Sequence, residues 1–154
     1  MNTLRFIPSE RGGRKALYMG FVYTKHRNLA SGSSWHCVSR HENCKGRVKI
    51  DANEETIQKV KTHNHIPDFG RAKALQLLAE ARKRCVDEPN VNPAVLTRDT
   101  YSSADSETLV ALPKERSVKR ALRQLRKQGN QALPPSLDEM ENIPEKYRTI
   151  NGER

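Results

Sequence analysis

Two cysteines and two histidines, Cys37, Cys44, His63 and His65, constrain this chain more than any other feature of its sequence. They fall in a segment ending near Asp68 that carries few apolar residues. A domain that small and that poor in core is marginal without a covalent or metal staple. Four arrangements could account for the cysteines: a disulfide, a redox pair, a metal site, or plain burial. Three cysteines with no apolar leader argue against a disulfide framework and for a reducing compartment. Six residues separate Cys37 from Cys44, which is too far for a redox pair of the Cys-x-x-Cys kind. Burial alone would suit cysteine, but it leaves the short segment unstapled. A structural zinc would add on the order of 10 kcal/mol of folding free energy.

The ligand chemistry agrees. Thiolates and imidazoles closing a tetrahedron are the donors of structural zinc. The spacing is not that of the helix-based DNA-reading finger, whose histidines lie one helical turn apart. One residue separates His63 from His65. On a helix such positions diverge, whereas on a strand they share a face with Cα atoms roughly 7 Å apart. This predicts a sheet-based zinc module with ligand pairs at strand ends. The remaining histidines, His26, His36 and His41, compete less well: His36 alternates with Trp35 and Cys37 and is expected on the surface. Cys85 falls on a helical stripe and reads as a small core residue.

The pattern up to Asp68 is strand-like. "KALYMGFVYTK" reads as one strand, with Leu17, Met19, Phe21 and Tyr23 on one face and Tyr18, Val22 and Thr24 on the other. "NLASGSS", Asn28 to Ser34, reads as a loop. "SWHCVS", "KGRVKI" and "TIQKVKTHNH" read as further strands. In "KGRVKI" the period of two sets Lys45, Arg47 and Lys49 on one face and Val48 and Ile50 on the other. Beyond Pro67 the pattern turns helical. Asp68 can cap a helix over 71–86 with Ala74, Leu77, Leu78, Ala81 and Cys85 as its apolar stripe. Residues 94–106 show no clear period. A second helix is predicted from Pro113 to Gly129, with Val118, Ala121, Leu122 and Leu125 inward and a strongly basic remainder. The expected class is α+β: a small zinc-stapled antiparallel β-sheet domain over 4–68, then, over 69–154, two helices joined by polar, partly disordered segments.

Of the 154 residues, 35% are hydrophobic and 30% charged, and mean hydropathy is −0.84, so one core running through the whole chain is not expected. The net charge of +10 and pI near 9.8 favour a polyanionic partner. No apolar run is long enough to span a membrane. No nucleophile–base set, open metal site or phosphate loop suggests an enzyme or a small-molecule substrate. The acidic residues Asp138, Glu139 and Glu141 lie in a Pro-rich end.

In order along the chain stand Phe6, Leu17, Tyr23, Trp35, Cys37, Cys44 and the His63/His65 pair. The segment "RFIPSERGGRKALYMGFVYTKHRNLASGSSWHCVSRHENCKGRVKI…THNHIPD" closely resembles the FLYWCH-type zinc finger. That resemblance, through the related WRKY and GCM DNA-binding domains, implies a four- or five-stranded antiparallel sheet, one structural Zn2+ on Cys37, Cys44, His63 and His65, and a strand edge in the DNA major groove. It places the reading strand at Thr24, Lys25, His26, Arg27 and Asn28. The tail, with "ALPKERSVKRALRQLRKQ" and "LPP…IPEKYRT", resembles the segment before the catalytic domain of Mutator-like transposase-derived proteins.

Within that frame Lys25 and Arg27, with His26 and Asn28 beside them, would contact bases. Lys45, Arg47 and Lys49 would contact phosphates, as would Arg11, Arg14 and Lys15 around Gly12-Gly13. The expected role is zinc-dependent binding of double-stranded DNA in the nucleus, as a regulator or a transposase-derived fragment. The rival is a protein-interaction adaptor working through the apolar stripes of the two helices.

Overall fold

The computed structural model of the chain describes residues 3–9 and 12–129. Arg11 and the tail from residue 130 onward, including "LPP…IPEKYRT" and the acidic residues at 138, 139 and 141, lie outside the described residues.

Six strands form one antiparallel meander in chain order: β1 (Arg5–Pro8), β2 (Arg14–Tyr18), β3 (Phe21–Leu29), β4 (Gly32–Cys37), β5 (Arg47–Asp51) and β6 (Ile57–Lys61). The stretch expected as one strand, "KALYMGFVYTK", is a hairpin. Met19 and Gly20 both take positive φ, 49° and 75°, the pairing of a tight two-residue hairpin turn. The reversal puts Leu17 opposite Val22 and Ala16 opposite Tyr23, so Leu17 and Tyr23 face opposite sides. Gly20 is also held by space: a Cβ there would lie 2.9 Å from the Cβ of Pro67. The expected loop over 28–34 is largely strand too, with Asn28 paired to Ser33 and Leu29 to Gly32. Its small residues suit a tight interior: Ser33 is buried and its Oγ accepts the Trp35 indole N–H at 2.8 Å.

The sheet curls over its own inner face. The rings of Phe6 and Trp35 lie 5.4 Å apart, although β1 and β4 are three strands apart, about 14 Å in a flat sheet. Inside the curl Ala16, Tyr23, Trp35, Cys37, Cys44, Val48 and Ile50 form the first core. The guanidinium of Arg14 closes the curl by a two-pronged pair with Glu54, at 2.8 and 2.6 Å.

On the outer face, Ile7, Leu17 and Val22 are covered by Ala72, Leu75 and Ala79 of α1 (Phe69–Asp87). The Asp68 carboxylate caps α1, accepting the Arg71 N–H at 2.7 Å, as the sequence predicts. The stripe of α1 is wider than expected because the helix serves two cores. One side meets the sheet. The other, with Leu78, Ala81 and Cys85, meets Leu96, Val118 and Leu122.

Four helices are present among the described residues, where two were expected. The unpatterned stretch 94–106 lies mostly in α2 (Pro93–Ser102), and α3 (Ser106–Ala111) begins at its end, followed by α4 (Glu115–Gly129). The apolar period is masked because threonines fill core positions. Thr97, Thr100 and Thr108 are buried, and the first two return their hydroxyls to the carbonyls of Pro93 and Leu96, both at 2.7 Å. Asn92 and Asp105 cap α2 and α3. Val118 and Leu122 of α4 are 5% and 1% exposed, so the stripes of the helices meet one another within the chain. Among the described residues no helix is long and apolar enough to cross a membrane.

Candidate functional site

After β4 the chain turns through a short 3-10 segment (Val38–Glu42) and returns at Cys44 with Asn43 in the left-handed region, φ 60°. This brings Cys44 back beside Cys37. β6 ends at Lys61, so His63 and His65 lie just beyond the strand rather than on it. The four ligand atoms lie within 4.8 Å of one another. Cys37 Sγ is 3.3 Å from His65 Nε2, Cys44 Sγ is 3.4 Å from His63 Nδ1, and the two ring nitrogens are 3.4 Å apart. Tetrahedral zinc, with Zn–S of about 2.3 Å and Zn–N of about 2.0–2.1 Å, sets S···N edges of about 3.5 Å and an N···N edge of about 3.4 Å. The donor set fits one zinc ion. None of the three cysteines is in a disulfide.

The surrounding groups select the ligating atoms. His65 Nδ1 faces the Ile66 carbonyl at 3.0 Å and donates to it, which leaves Nε2 for the metal. His63 is reversed. Its Nε2 lies 2.8 Å from the Tyr23 hydroxyl, which leaves Nδ1 toward Cys44. Burial pushes the Tyr23 phenol well above its ordinary range, with the two cysteines adding to the effect, so it stays neutral. Burial, then the neighbouring His65, lowers the His63 pKa and keeps the imidazole in its ligating form. Burial raises the Cys37 thiol, an opposition to the thiolate that a bound cation removes. Phe21 stacks on the His63 ring at 3.7 Å. The Gly46 N–H donates to Cys44 Sγ at 3.3 Å. A Cβ on Gly46 would fall 2.3 Å from His63 Nδ1, so the site leaves no room for a side chain there.

The other histidines are not ligands, but His36 is not on the surface as expected. It does point away from Cys37, yet it is 6% exposed, stacked under His26 at 4.0 Å with Arg40 3.4 Å from its Nδ1. Burial, then His26, Arg47, Arg40 and Arg27, lowers its pKa. Alternation along a strand sets the face of a side chain, but not the long neighbours that cover it. Cys85 is buried, as a core residue should be.

Register assembles a basic face. Across the outer side of β2 to β6 run Lys15, Thr24, His36, Arg47 and Lys61, each opposite the next. The adjoining row is Arg27, Ser34, Lys49 and Lys59. A bulge between Lys25 and Arg27 is what sets Arg27 in that row. Lys25 goes to the other side, its Nζ 6.0 Å from the Trp35 ring centre. So His26, Arg27, Arg47 and Lys49 come together, Lys45 stands exposed on the approach to β5, and Lys25 is separated from them. Arg14 is engaged by Glu54 instead. Among the described residues no carboxylate pairs with Arg27, Arg47, Lys49, Lys59 or Lys61. Lys59, Lys61 and Gly46 join the site although they are not among the residues expected from the sequence. The alternation in "IQKVK" carried a signal for the lysines, the same one as in β5.

A curled antiparallel sheet clamped at one end by two cysteines and two histidines defines a sheet-based zinc finger. Residues 6–65 match the family model of the FLYWCH zinc finger domain. The chain matches none of the curated proteins with which it was compared.

Proposed function

We propose that the chain is a zinc-dependent module that binds double-stranded DNA in the nucleus, as part of a transcriptional regulator or of a transposase-derived protein, and that the module is not itself an enzyme. The observation that carries this reading is the outer sheet face, where Arg27, Arg47, Lys49, Lys59 and Lys61 stand without carboxylate partners among the described residues. Cations left unpaired on one face suit a row of phosphates, and Arg27 beside His26 is the pair best suited to reach base edges. Zinc acts through folding: it fixes the ends of β4 and β6, on whose register the rows depend.

The adaptor alternative drew on apolar stripes in need of partners. Those stripes cover one another, which leaves the basic face as the surface with the most to offer a ligand.

The test is binding to a random duplex pool, followed by fluorescence anisotropy across salt. The expected log–log slope is about −0.9 per neutralised phosphate. The triple substitution R27Q/R47Q/K49Q should flatten it by up to about 2.7. A native protein that binds no duplex at low salt, or binds with a flat salt response, ends the DNA reading.

A further inference from the structure

α4 holds a second cationic surface. At about 100° per residue, Arg116, Arg120, Arg123 and Lys127 fall within roughly 60° of one another along the helix. All four are exposed, and none has a carboxylate partner among the described residues. The flanking positions on that side, Ser117 and Gln124, are uncharged. The other basic residue of the last turn has a different task. Arg126 turns inward, and its guanidinium donates to the Val91 carbonyl at 2.7 Å, with the carbonyls of Cys85 and Glu88 at 3.5 Å. It ties α4 to the end of α1. The opposite side of α4 is occupied as well, since Val118 and Leu122 are packed against α1 and α2. A helix that lies in a membrane surface needs its apolar face free, and this one does not have it free.

We infer that the Arg116–Arg120–Arg123–Lys127 stripe is a second contact for the phosphate backbone of duplex DNA, separate from the sheet face and blind to base sequence. The inference rests on the DNA reading of the sheet. The stripe is about 16 Å long, a length that along the duplex axis equals the rise of about five base steps at 3.4 Å each, so several phosphates of the backbone lie within its span. Cations on long side chains, with no acid among them and no carboxylate partner among the described residues, suit a repeating anion.

The test compares three full-length proteins in the same salt series: native, R116Q/R120Q/R123Q/K127Q and R27Q/R47Q/K49Q. The helix variant should lose affinity equally for every duplex sequence, and its log–log salt slope should flatten by up to about 3.6. Its far-ultraviolet circular dichroism and zinc content should equal the native protein's. A helix variant with native affinity and slope, beside a sheet variant that has lost binding, overturns this inference and leaves the sheet reading standing. A native protein that binds no duplex overturns both. If the quadruple variant folds poorly, R116Q/R120Q serves in its place, with an expected flattening of up to about 1.8 and the same refuting outcome.

Discussion

Gly46→Ala isolates the clamp with a single methyl group. The backbone conformation at Gly46 is open to any residue, so strain in φ is not the issue. Space is. The new Cβ would lie 2.3 Å from both Nδ1 and Cε1 of His63 and 2.8 Å from Cγ. Ordinary contacts need about 3.5 Å, so the ring or the backbone must give by about 1 Å. The backbone is held on both sides: the Gly46 carbonyl accepts the Cys37 N–H at 3.0 Å and the Gly46 N–H donates to Cys44 Sγ. The ring is held too, stacked on Phe21 and bonded to Tyr23. Metal bonds tolerate about 0.2 Å. Loss of good geometry around a ligand weakens metal binding by about 10- to 100-fold, and displacement of the ligand itself belongs at the upper end, about 2.7 kcal/mol. The assay is competition with a chromophoric chelator, with melting temperature at fixed free zinc as the second readout. Gly13→Ala, whose Cβ meets nothing nearer than Ser9 Oγ at 3.6 Å, should leave zinc affinity unchanged. A Gly46→Ala protein within about threefold of native zinc affinity would refute the steric argument.

Stripping the metal with a chelator should unfold the finger, read as loss of sheet signal in circular dichroism, and unchanged spectra would remove zinc from the account. Tyr23→Phe should weaken zinc binding by about 10- to 100-fold while the core stays packed, because only the hydroxyl facing His63 Nε2 is lost. Acidification should destabilise the protein. His63 and His36 titrate below their ordinary value of 6.5 when folded, so the unfolded chain takes up protons first, and stability falls as pH drops from about 6.5 through the lowered folded values. Thermal melts at stepped pH check this, and a melting temperature that rises on acidification over that range contradicts it. Arg126→Ala should cost about 1.5–3 kcal/mol in urea unfolding, since a charged donor to the Val91 carbonyl is removed.

The clamp was legible because its chemistry leaves few alternatives: two thiols and a His-x-His pair have little else to do together in a segment with so thin a core. The cation rows of β5 were legible for a simpler reason, a strict period of two. What the sequence hid lies where a residue type acts against its usual habit. Met19 takes a left-handed turn that glycine or asparagine normally marks, so the hairpin at 19–20 passed for continuous strand. Thr97, Thr100 and Thr108 act as core residues and remove the apolar period from α2 and α3. The bulge at Lys25/Arg27 has no sequence mark at all, yet it decides which of the two side chains joins the basic rows.

The double duty of α1 has a practical consequence for anyone dissecting the chain. His65 is a zinc ligand, Asp68 caps the helix three residues later, and the Asp68 N–H is fixed to the Gly20 carbonyl at 2.9 Å. A cut after Asp68 preserves every ligand and respects the family boundary, but it strips the cover from Ile7, Leu17 and Val22. The isolated finger would carry a bare apolar patch beside a strongly basic one, a recipe for aggregation on anionic surfaces and for false positives in binding screens. A cut at the end of α1 would in turn bare Leu78, Ala81 and Cys85, so carrying the chain through α4 is the smallest truncation that leaves neither side of α1 uncovered.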